Sequence, residues 1–170
     1  MQNPKKPVYQ AYIALGSNLE DPTIQIQQAF NELNELPGTR LLKRSSLYKT
    51  APMGRVDQPD FINAVAQIET SKTPHDLLSA LLSIEHQHKR VRDEINAPRT
   101  LDLDILMYGD LQCREPGLTL PHPRIGQRAF VLQPLVEICS DCSIPGLGNA
   151  KRLLVNCLDQ RVEKMPTNEC

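Results

Sequence analysis

The stretch that decides the fold is RTLDLDIL, residues 99–106. Its polar and apolar residues alternate, so Thr100, Asp102 and Asp104 fall on one face of a predicted strand, and Leu101, Leu103 and Ile105 fall on the other. The apolar face requires a core. Asp is disfavoured in strands, and two carboxylates on one face repel each other unless a cation lies between them. The pattern fits a solvated edge face or a Mg²⁺–phosphate site, and Arg99 directly before the strand favours the second.

Hydrophobic periodicity on both sides of this stretch predicts further strands and helices. Strands are predicted at residues 8–15, 41–49, 61–69 and 111–113, and helices are predicted to begin at Asp21–Pro22 and Thr73–Pro74. Both helix starts combine an N-cap residue with proline at the first helical position. The order βαββαβ predicts an α+β fold with a ferredoxin-like core, in which two helices pack on one face of an antiparallel sheet.

The chain is predicted to form a single domain over residues 1–170, since this length suits one core. The ferredoxin-like core is assigned to residues 8–113. Residues 114–160 are assigned to a C-terminal α/β appendage, with helices expected within residues 130–138 and 149–158.

Charge and cysteine content narrow the class of protein. A net charge of −1 weighs against broad nucleic-acid binding, which needs many contacts from Lys and Arg to phosphates. Five irregularly spaced cysteines are typical of free thiols in a reducing compartment. The sequence shows neither a signal peptide nor an apolar run long enough to span a membrane, so we expect a cytoplasmic protein.

Four segments together resemble the 6-hydroxymethyl-7,8-dihydropterin pyrophosphokinase family of folate biosynthesis. They are ALGSNL at residues 14–19, DQPDFIN at 57–63, RTLDLD at 99–104 and LPHPR at 120–124. The resemblance runs in order over residues 12–138, and the third and fourth segments are its most specific part. It implies an enzyme that transfers the diphosphate of ATP to the hydroxymethyl group of 6-hydroxymethyl-7,8-dihydropterin and releases AMP.

The resemblance also implies the reacting groups. Asp102 and Asp104 would hold two Mg²⁺ ions, and Arg90 and Arg92 would act with them in catalysis. From Arg90 and Arg92 alone, a basic helix C-terminus that complements the helix dipole is favoured over a phosphate clamp, and the Asp pair reverses this preference. An Arg guanidinium suits a phosphate clamp because its planar fork forms bidentate hydrogen bonds.

The remaining site residues follow the two substrates. By the resemblance, ATP would be bound by Glu85, Arg90, Arg92, Arg99, Ile105, Thr119, His122 and Arg128. The pterin would be bound by Thr50, Ala51, Met53, Phe61, Asn63 and Phe130. Two of these roles have a physical basis: rings stack on the pterin, and the Asn63 amide can both donate and accept along its edge. Ordinary core packing remains the alternative for the two phenylalanines, and a surface turn remains the alternative for His122.

The chain departs from the family at three positions. Many members carry Trp-Gly before the Pro-Arg-Thr segment, whereas residues 95–97 here read INA and the chain has no Trp. Phe61 stands where some members have Tyr, and Gly126 stands where a basic residue is frequent. None of these departures affects the Asp pair.

Two other classes of function are compatible with the predicted fold. A ferredoxin-like nucleic-acid-binding module would need a basic sheet face with exposed aromatic rings, and the Asp pair argues against it. Another two-metal nucleotide enzyme, such as a nucleotidyl cyclase, would share the Asp pair but would not require Asn63 beside Phe61. We expect a monomer that acts on small molecules and binds neither nucleic acid nor membrane.

Overall fold

The computed structural model describes residues 6–18, 21–50, 60–88 and 101–166. The strands are β1 (Tyr9–Ser17), β2 (Thr39–Arg44), β3 (Tyr48–Thr50), β4 (Phe61–Thr70), β5 (Asp102–Tyr108), β6 (Cys113–Glu115), β7 (Leu118–Leu120), β8 (Ser143–Ile144), β9 (Gly148–Asn149) and β10 (Val162–Lys164). The helices are α1 (Pro22–Glu35), α2 (Pro74–His88), α3 (Ala129–Ile138) and α4 (Ala150–Val155), with a 3₁₀ helix at Ile125–Gln127.

The main sheet is antiparallel throughout and has the strand order β10-β3-β4-β1-β5, with β2 also paired to β4. Predicted strand 41–49 is divided into β2 and β3. At the division, Ser45 N–H donates to the Val65 carbonyl and Ser45 Oγ accepts from Val65 N–H, both at 2.9 Å. A serine side chain thus replaces one main-chain partner, which periodicity alone does not reveal.

One face of the sheet packs against α1 and α2, as the sequence predicts. Helix α1 contributes Ile26, Ala29, Phe30 and Leu33, whose spacing of three to four residues forms a single stripe. Alternate residues of β1, β4 and β5 meet them, including Leu103 and Ile105 of the RTLDLDIL stretch, and Leu101 directly before β5 joins the same core. The Thr73 hydroxyl accepts from Asp76 N–H at 3.1 Å at the start of α2. Asp21 precedes α1 but caps it only through its main-chain carbonyl, because its side chain forms no capping bond.

The opposite face is partly covered by the C-terminal segment. Helix α3 packs Val131, Leu132 and Leu135 into a second core with Val65 of β4 and Leu106 of β5. The sequence-based expectation of helices on one face therefore describes α1 and α2 only. The pairing of β1 with β5 shifts in register between Tyr12 and Ile13, at Leu106 on β5. Leu106 and Met107, which are consecutive on β5, therefore both join the second core.

The described part of the chain is thus a mixed α/β structure with an antiparallel sheet and four α-helices. Every helix in these ranges is too short or too polar to cross a lipid bilayer.

Candidate active site

The floor of the candidate site is the part of the sheet that α3 leaves uncovered. Strand register places Asp102 opposite Gly16, and Gly16 opposite Asn63. In the neighbouring row, Asp104 lies opposite Ala14. Directly paired residues project from the same face of an antiparallel sheet, so both carboxylates share a face with the Asn63 amide. Two strand spacings separate Asp102 from Asn63, which is about 10 Å.

Gly16 lies between Asn63 and Asp102 in this row and has no side chain above the sheet. A Cβ added at Gly16 would lie 3.2 Å from Asn63 Oδ1, which is closer than an ordinary contact. Glycine therefore leaves room for the amide between the two outer strands of the row.

A second group of side chains orients the Asn63 end. Asn63 Nδ2 donates to Thr50 Oγ1 at 2.9 Å, and both residues are buried. Phe61 lies opposite Thr50 in the β3–β4 pair and is partly buried. The hydrogen bond directs the amide nitrogen toward β3 and its oxygen toward Gly16. Thr50, which the resemblance places in the pterin site, thus contacts Asn63 through its side chain.

An imidazole and a guanidinium lie near Asp104. The His122 imidazole and the Arg128 guanidinium are both partly buried. Burial lowers the pKa of His122, Arg128 and Arg124 lower it further, and the Asp104 carboxylate opposes them. Burial and Arg124 also lower the pKa of Arg128, again against Asp104. Asp104 thus interacts with both the His122 imidazole and the Arg128 guanidinium across this end of the site.

Phe130 is the second residue of α3 and lies close to the Arg128 guanidinium. The Arg128 guanidinium lies 5.4 Å from the centre of its ring, within the range of a cation–π contact. Phe130 is only partly buried and packs at the edge of the second core. Phe130 therefore contacts both the apolar second core and the Arg128 guanidinium.

These groups surround a cleft of about 980 Å³ between the sheet and the C-terminal segment. Eight of the predicted site residues line it: Thr50, Phe61, Asn63, Asp102, Asp104, His122, Arg128 and Phe130. Such a volume accommodates ligands of the size of a nucleotide.

Three predicted site residues do not line this cleft. Ile105 is buried in the core beneath α1 and α2, and Thr119 lies in the β6–β7 hairpin. Glu85 is buried on α2, where its Oε2 accepts from Leu103 N–H at 2.7 Å. Glu85 therefore holds β5 from the face covered by α2, at Leu103, which lies between Asp102 and Asp104. The predicted residues Ala51, Met53, Arg90, Arg92 and Arg99 lie outside the described part of the chain.

The cleft also contains residues that the sequence analysis did not assign. Arg124, Gln127, Gln160 and Arg161 line its wall. Gln160 holds this wall together, since its Oε1 accepts from Ala129 N–H at 2.9 Å and its Nε2 donates to the Gln127 carbonyl at 2.8 Å. Arg124 was visible in the LPHPR motif, but Gln160 and Arg161 follow a short helix and carry no local signal.

The donor set suits a hard divalent cation. Asp102 and Asp104 supply carboxylate oxygens, and no cluster of three or more metal-binding side chains exists among the described residues. Mg²⁺ commonly takes one or two protein carboxylates and completes its shell with substrate phosphates and water. The cationic side chains nearby fit the phosphates that such an ion would accompany.

Paired carboxylates, a cationic wall and an oriented amide on one open sheet face are features of enzymes that act on phosphorylated substrates. Residues 12–140 match the family model described as 7,8-dihydro-6-hydroxymethylpterin-pyrophosphokinase (HPPK). The chain belongs to this family, and the protein is a pyrophosphokinase. Neither of the two alternative classes is favoured by this membership.

Individual relatives agree with this assignment. The chain is 44% identical over 159 residues to 2-amino-4-hydroxy-6-hydroxymethyldihydropteridine pyrophosphokinase of Pseudomonas aeruginosa, covering 94% of this chain and 98% of the relative. The enzyme of the same name from Haemophilus influenzae is 44% identical over 155 residues, covering 91% of this chain and 97% of the relative.

A solved structure shares the fold. Wild-type Plasmodium falciparum HPPK-DHPS with pteroate superposes with a TM-score of 0.75 at 14% identity, covering 92% of this chain. This chain spans 45% of that longer protein.

Proposed function

We propose that the protein transfers the diphosphate of ATP to the hydroxymethyl group of 6-hydroxymethyl-7,8-dihydropterin, with release of AMP, in folate biosynthesis. Two further relatives support this role: the Bacillus subtilis protein is named for the same pyrophosphokinase, and the Schizosaccharomyces pombe one is a folic acid synthesis protein. The observation that carries the proposal is the shared sheet face of Asp102, Asp104 and Asn63. This face carries two carboxylates at one end, where Mg²⁺ and phosphates can bind, and the Asn63 amide at the other end, where a flat heterocycle can bind.

The pterin is assigned to the Asn63 end. The amide can pair with the edge of the ring, and its orientation by Thr50 supports this assignment. Phe61 and Phe130 are assigned to stacking, since both are partly buried and line the cleft. Main-chain groups of Thr50, Ala51 and Met53 complete the proposed pterin site.

The phosphates are assigned to the Asp end. Asp102 and Asp104 are the proposed ligands of two Mg²⁺ ions, which supply neutralisation of phosphate charge when bound. His122 and Arg128 are assigned to ATP because they line the cleft and interact with Asp104. The Arg128 guanidinium, held in a fixed position, would stabilise the charge that develops on the phosphate oxygens in the transition state better than bulk water does.

The other ATP contacts remain proposals drawn from the resemblance. Arg90 and Arg92 are assigned to catalysis and, with Arg99, to phosphate binding. Glu85, Ile105 and Thr119 are assigned to the nucleotide side. For Glu85, its bond to the main chain between the two Asp residues supports an effect through the position of β5.

The finer architecture is also proposed. The order β5-β1-β4 with β2 and β3 beyond, and α1 and α2 on one face, supports a ferredoxin-like core within residues 8–113. Residues 114–160 are assigned to the C-terminal appendage of a single domain over residues 1–170. We also propose that the protein is a monomer and that it is cytoplasmic, as the sequence predicts.

The test of the proposed function is the identity of the nucleotide product. The protein is incubated with Mg²⁺, ATP and 6-hydroxymethyl-7,8-dihydropterin, and the nucleotides are separated by ion-exchange chromatography. We expect AMP and diphosphorylated pterin in equal amounts, with both lost on addition of EDTA. ADP as the main product would indicate a simple kinase, and cyclic AMP with pyrophosphate would indicate a cyclase; either result contradicts the proposal.

A further inference from the structure

The main chain of His122 is held on two sides. Its N–H donates to the Leu106 carbonyl on β5 at 2.9 Å, and its own carbonyl accepts from Ile125 N–H at 3.1 Å. Leu106 lies two residues beyond Asp104 on the same strand. These bonds fix where the imidazole emerges beside the carboxylate end of the cleft, which His122 lines.

A third main-chain bond reaches the ring itself. Arg124 N–H donates to His122 Nδ1 at 3.1 Å. A ring nitrogen that accepts a hydrogen bond carries no proton, so the single proton of the imidazole lies on Nε2. The main chain of Arg124 is itself held on its carbonyl side, since the Arg124 carbonyl accepts from Gln127 N–H at 3.0 Å. This contact therefore depends on the turn and not on the Arg124 side chain.

The charges around the ring agree with this state. Burial lowers the pKa of His122, the neighbouring Arg128 and Arg124 act in the same direction, and Asp104 opposes them. A charged imidazole would add to the repulsion between the two guanidinium groups. The site already holds permanent positive charge, and a neutral ring leaves its hydrogen-bond donor available.

We propose that the Arg124 main-chain N–H fixes His122 as its neutral Nε2–H tautomer, so that His122 presents an uncharged hydrogen-bond donor to a phosphate oxygen of ATP. Arg124 is thereby a positioning residue that acts through its peptide group. The arginine side chains supply positive charge at this end of the cleft, and His122 supplies a neutral hydrogen-bond donor whose orientation is fixed. The phosphate contact rests on the proposed function, whereas the tautomer rests on the geometry of the turn.

The tautomer is tested without substrate by long-range ¹H–¹⁵N correlation NMR on the ¹⁵N-labelled full chain at neutral pH. The His122 signals are identified by their loss in His122→Gln or His122→Asn. We expect a pyridine-type Nδ1 and a pyrrole-type Nε2. Arg124→Ala is the matched control and should keep this pattern, because it retains the peptide N–H. The free peptide of residues 120–124 should give averaged shifts.

Three NMR results would overturn the proposal. They are a proton on Nδ1, a doubly protonated ring, and shifts as averaged as those of the free peptide. A tautomer that changes in Arg124→Ala would also overturn it, since the guanidinium and not the main chain would then decide the state.

The phosphate contact is tested by calorimetric binding of Mg²⁺–ATP in the absence of pterin. Gln can place a neutral N–H near the position of Nε2, whereas Asn is too short and carries its amide near Nδ1. We expect His122→Asn to bind ATP at least about fivefold more weakly than His122→Gln, the effect of one neutral hydrogen bond. Equal losses would refute the donor role. Absence of AMP in the product assay, with the NMR pattern intact, would refute the proposed function and leave the tautomer standing.

Discussion

Gly16→Ala tests the geometry of the sheet row directly. The added Cβ would lie 3.2 Å from Asn63 Oδ1, whereas ordinary contact begins near 3.4 Å, so the oxygen must retreat by about 0.2 Å. Its freedom to do so is limited, because Asn63 Nδ2 is bonded to Thr50 Oγ1 at 2.9 Å. The amide must therefore turn about this anchor, which misaligns it for the pterin edge.

The expected effect is the loss of about one hydrogen bond to the pterin. Such a bond contributes about 1 kcal/mol, which corresponds to about a fivefold increase in the pterin Kd. Overall stability should change little, since replacing Gly by Ala restricts the unfolded chain and opposes the local crowding by about 0.4–1 kcal/mol. The Kd for Mg²⁺–ATP should stay within about twofold, because the added Cβ meets Asn63 Oδ1 but lies within 4 Å of no atom of Asp102, the residue opposite Gly16 on β5.

The measurement is a fluorescence titration with the pterin, beside calorimetry with Mg²⁺–ATP and thermal unfolding. Gly126→Ala is the matched control, because its added Cβ would meet Leu147 at 3.4 Å, an ordinary contact, and Leu153 slightly farther away. The control should bind pterin normally. An unchanged pterin Kd in Gly16→Ala, or an equal loss in Gly126→Ala, would refute the reasoning about the row.

Three further predictions concern other contacts. Asp104→Asn should lower kcat/KM by more than about a hundredfold, because the neutral amide would hold the charge-neutralising Mg²⁺ ions more weakly, and thermal unfolding should stay near wild type, because the side chain is exposed; near-normal turnover at saturating Mg²⁺ contradicts this. Thr50→Val should weaken pterin binding about fivefold with ATP binding unchanged, whereas Thr50→Ser should restore it, because only the hydroxyl orients Asn63. Tyr48→Phe should destabilise the fold by about 1.5–3 kcal/mol at neutral pH, since Tyr48 Oη donates to the Glu137 carboxylate at 2.6 Å. Burial raises the pKa of Glu137 but bonds from Tyr48 and Ser46 outweigh it and leave that pKa lowered, so this contribution is complete above about pH 4.3 and is lost as pH falls through the folded value. Urea unfolding of both proteins at neutral and acidic pH measures it, and a difference that persists at low pH contradicts the assignment.

Local periodicity predicted the central elements well. The alternation around Asp102 and Asp104, and that around Asn63, placed these side chains on one face because side chains in a strand repeat every two residues. The stripes of α1 and α2 predicted the first core for the same kind of reason. Motif resemblance added the proposed ATP-binding roles of His122 and Arg128, which line the cleft.

Other features depended on contacts between distant segments. The division between β2 and β3 follows from the bonds of Ser45 to Val65, twenty residues away along the chain. The side-chain bond from Asn63 to Thr50 depends on strand register, and the wall built by Gln160 depends on where the C-terminal segment returns. None of these contacts leaves a periodic signal in the residues that form it.

By itself, the sequence determined which face of β5 carries the carboxylates and which residues of the flanking helices are buried, because these are properties of local periodicity. Only the tertiary structure decided that α3 packs against the carboxylate-bearing face and that the turn at His122 lies against β5. An apolar helix such as α3 can satisfy its burial on either face of a sheet, so its own residues do not select one. The choice depends on surfaces completed elsewhere in the chain: α1 and α2 already cover one face, and the apolar side chains of Val65 and Leu106 on the other face would be left uncovered without α3.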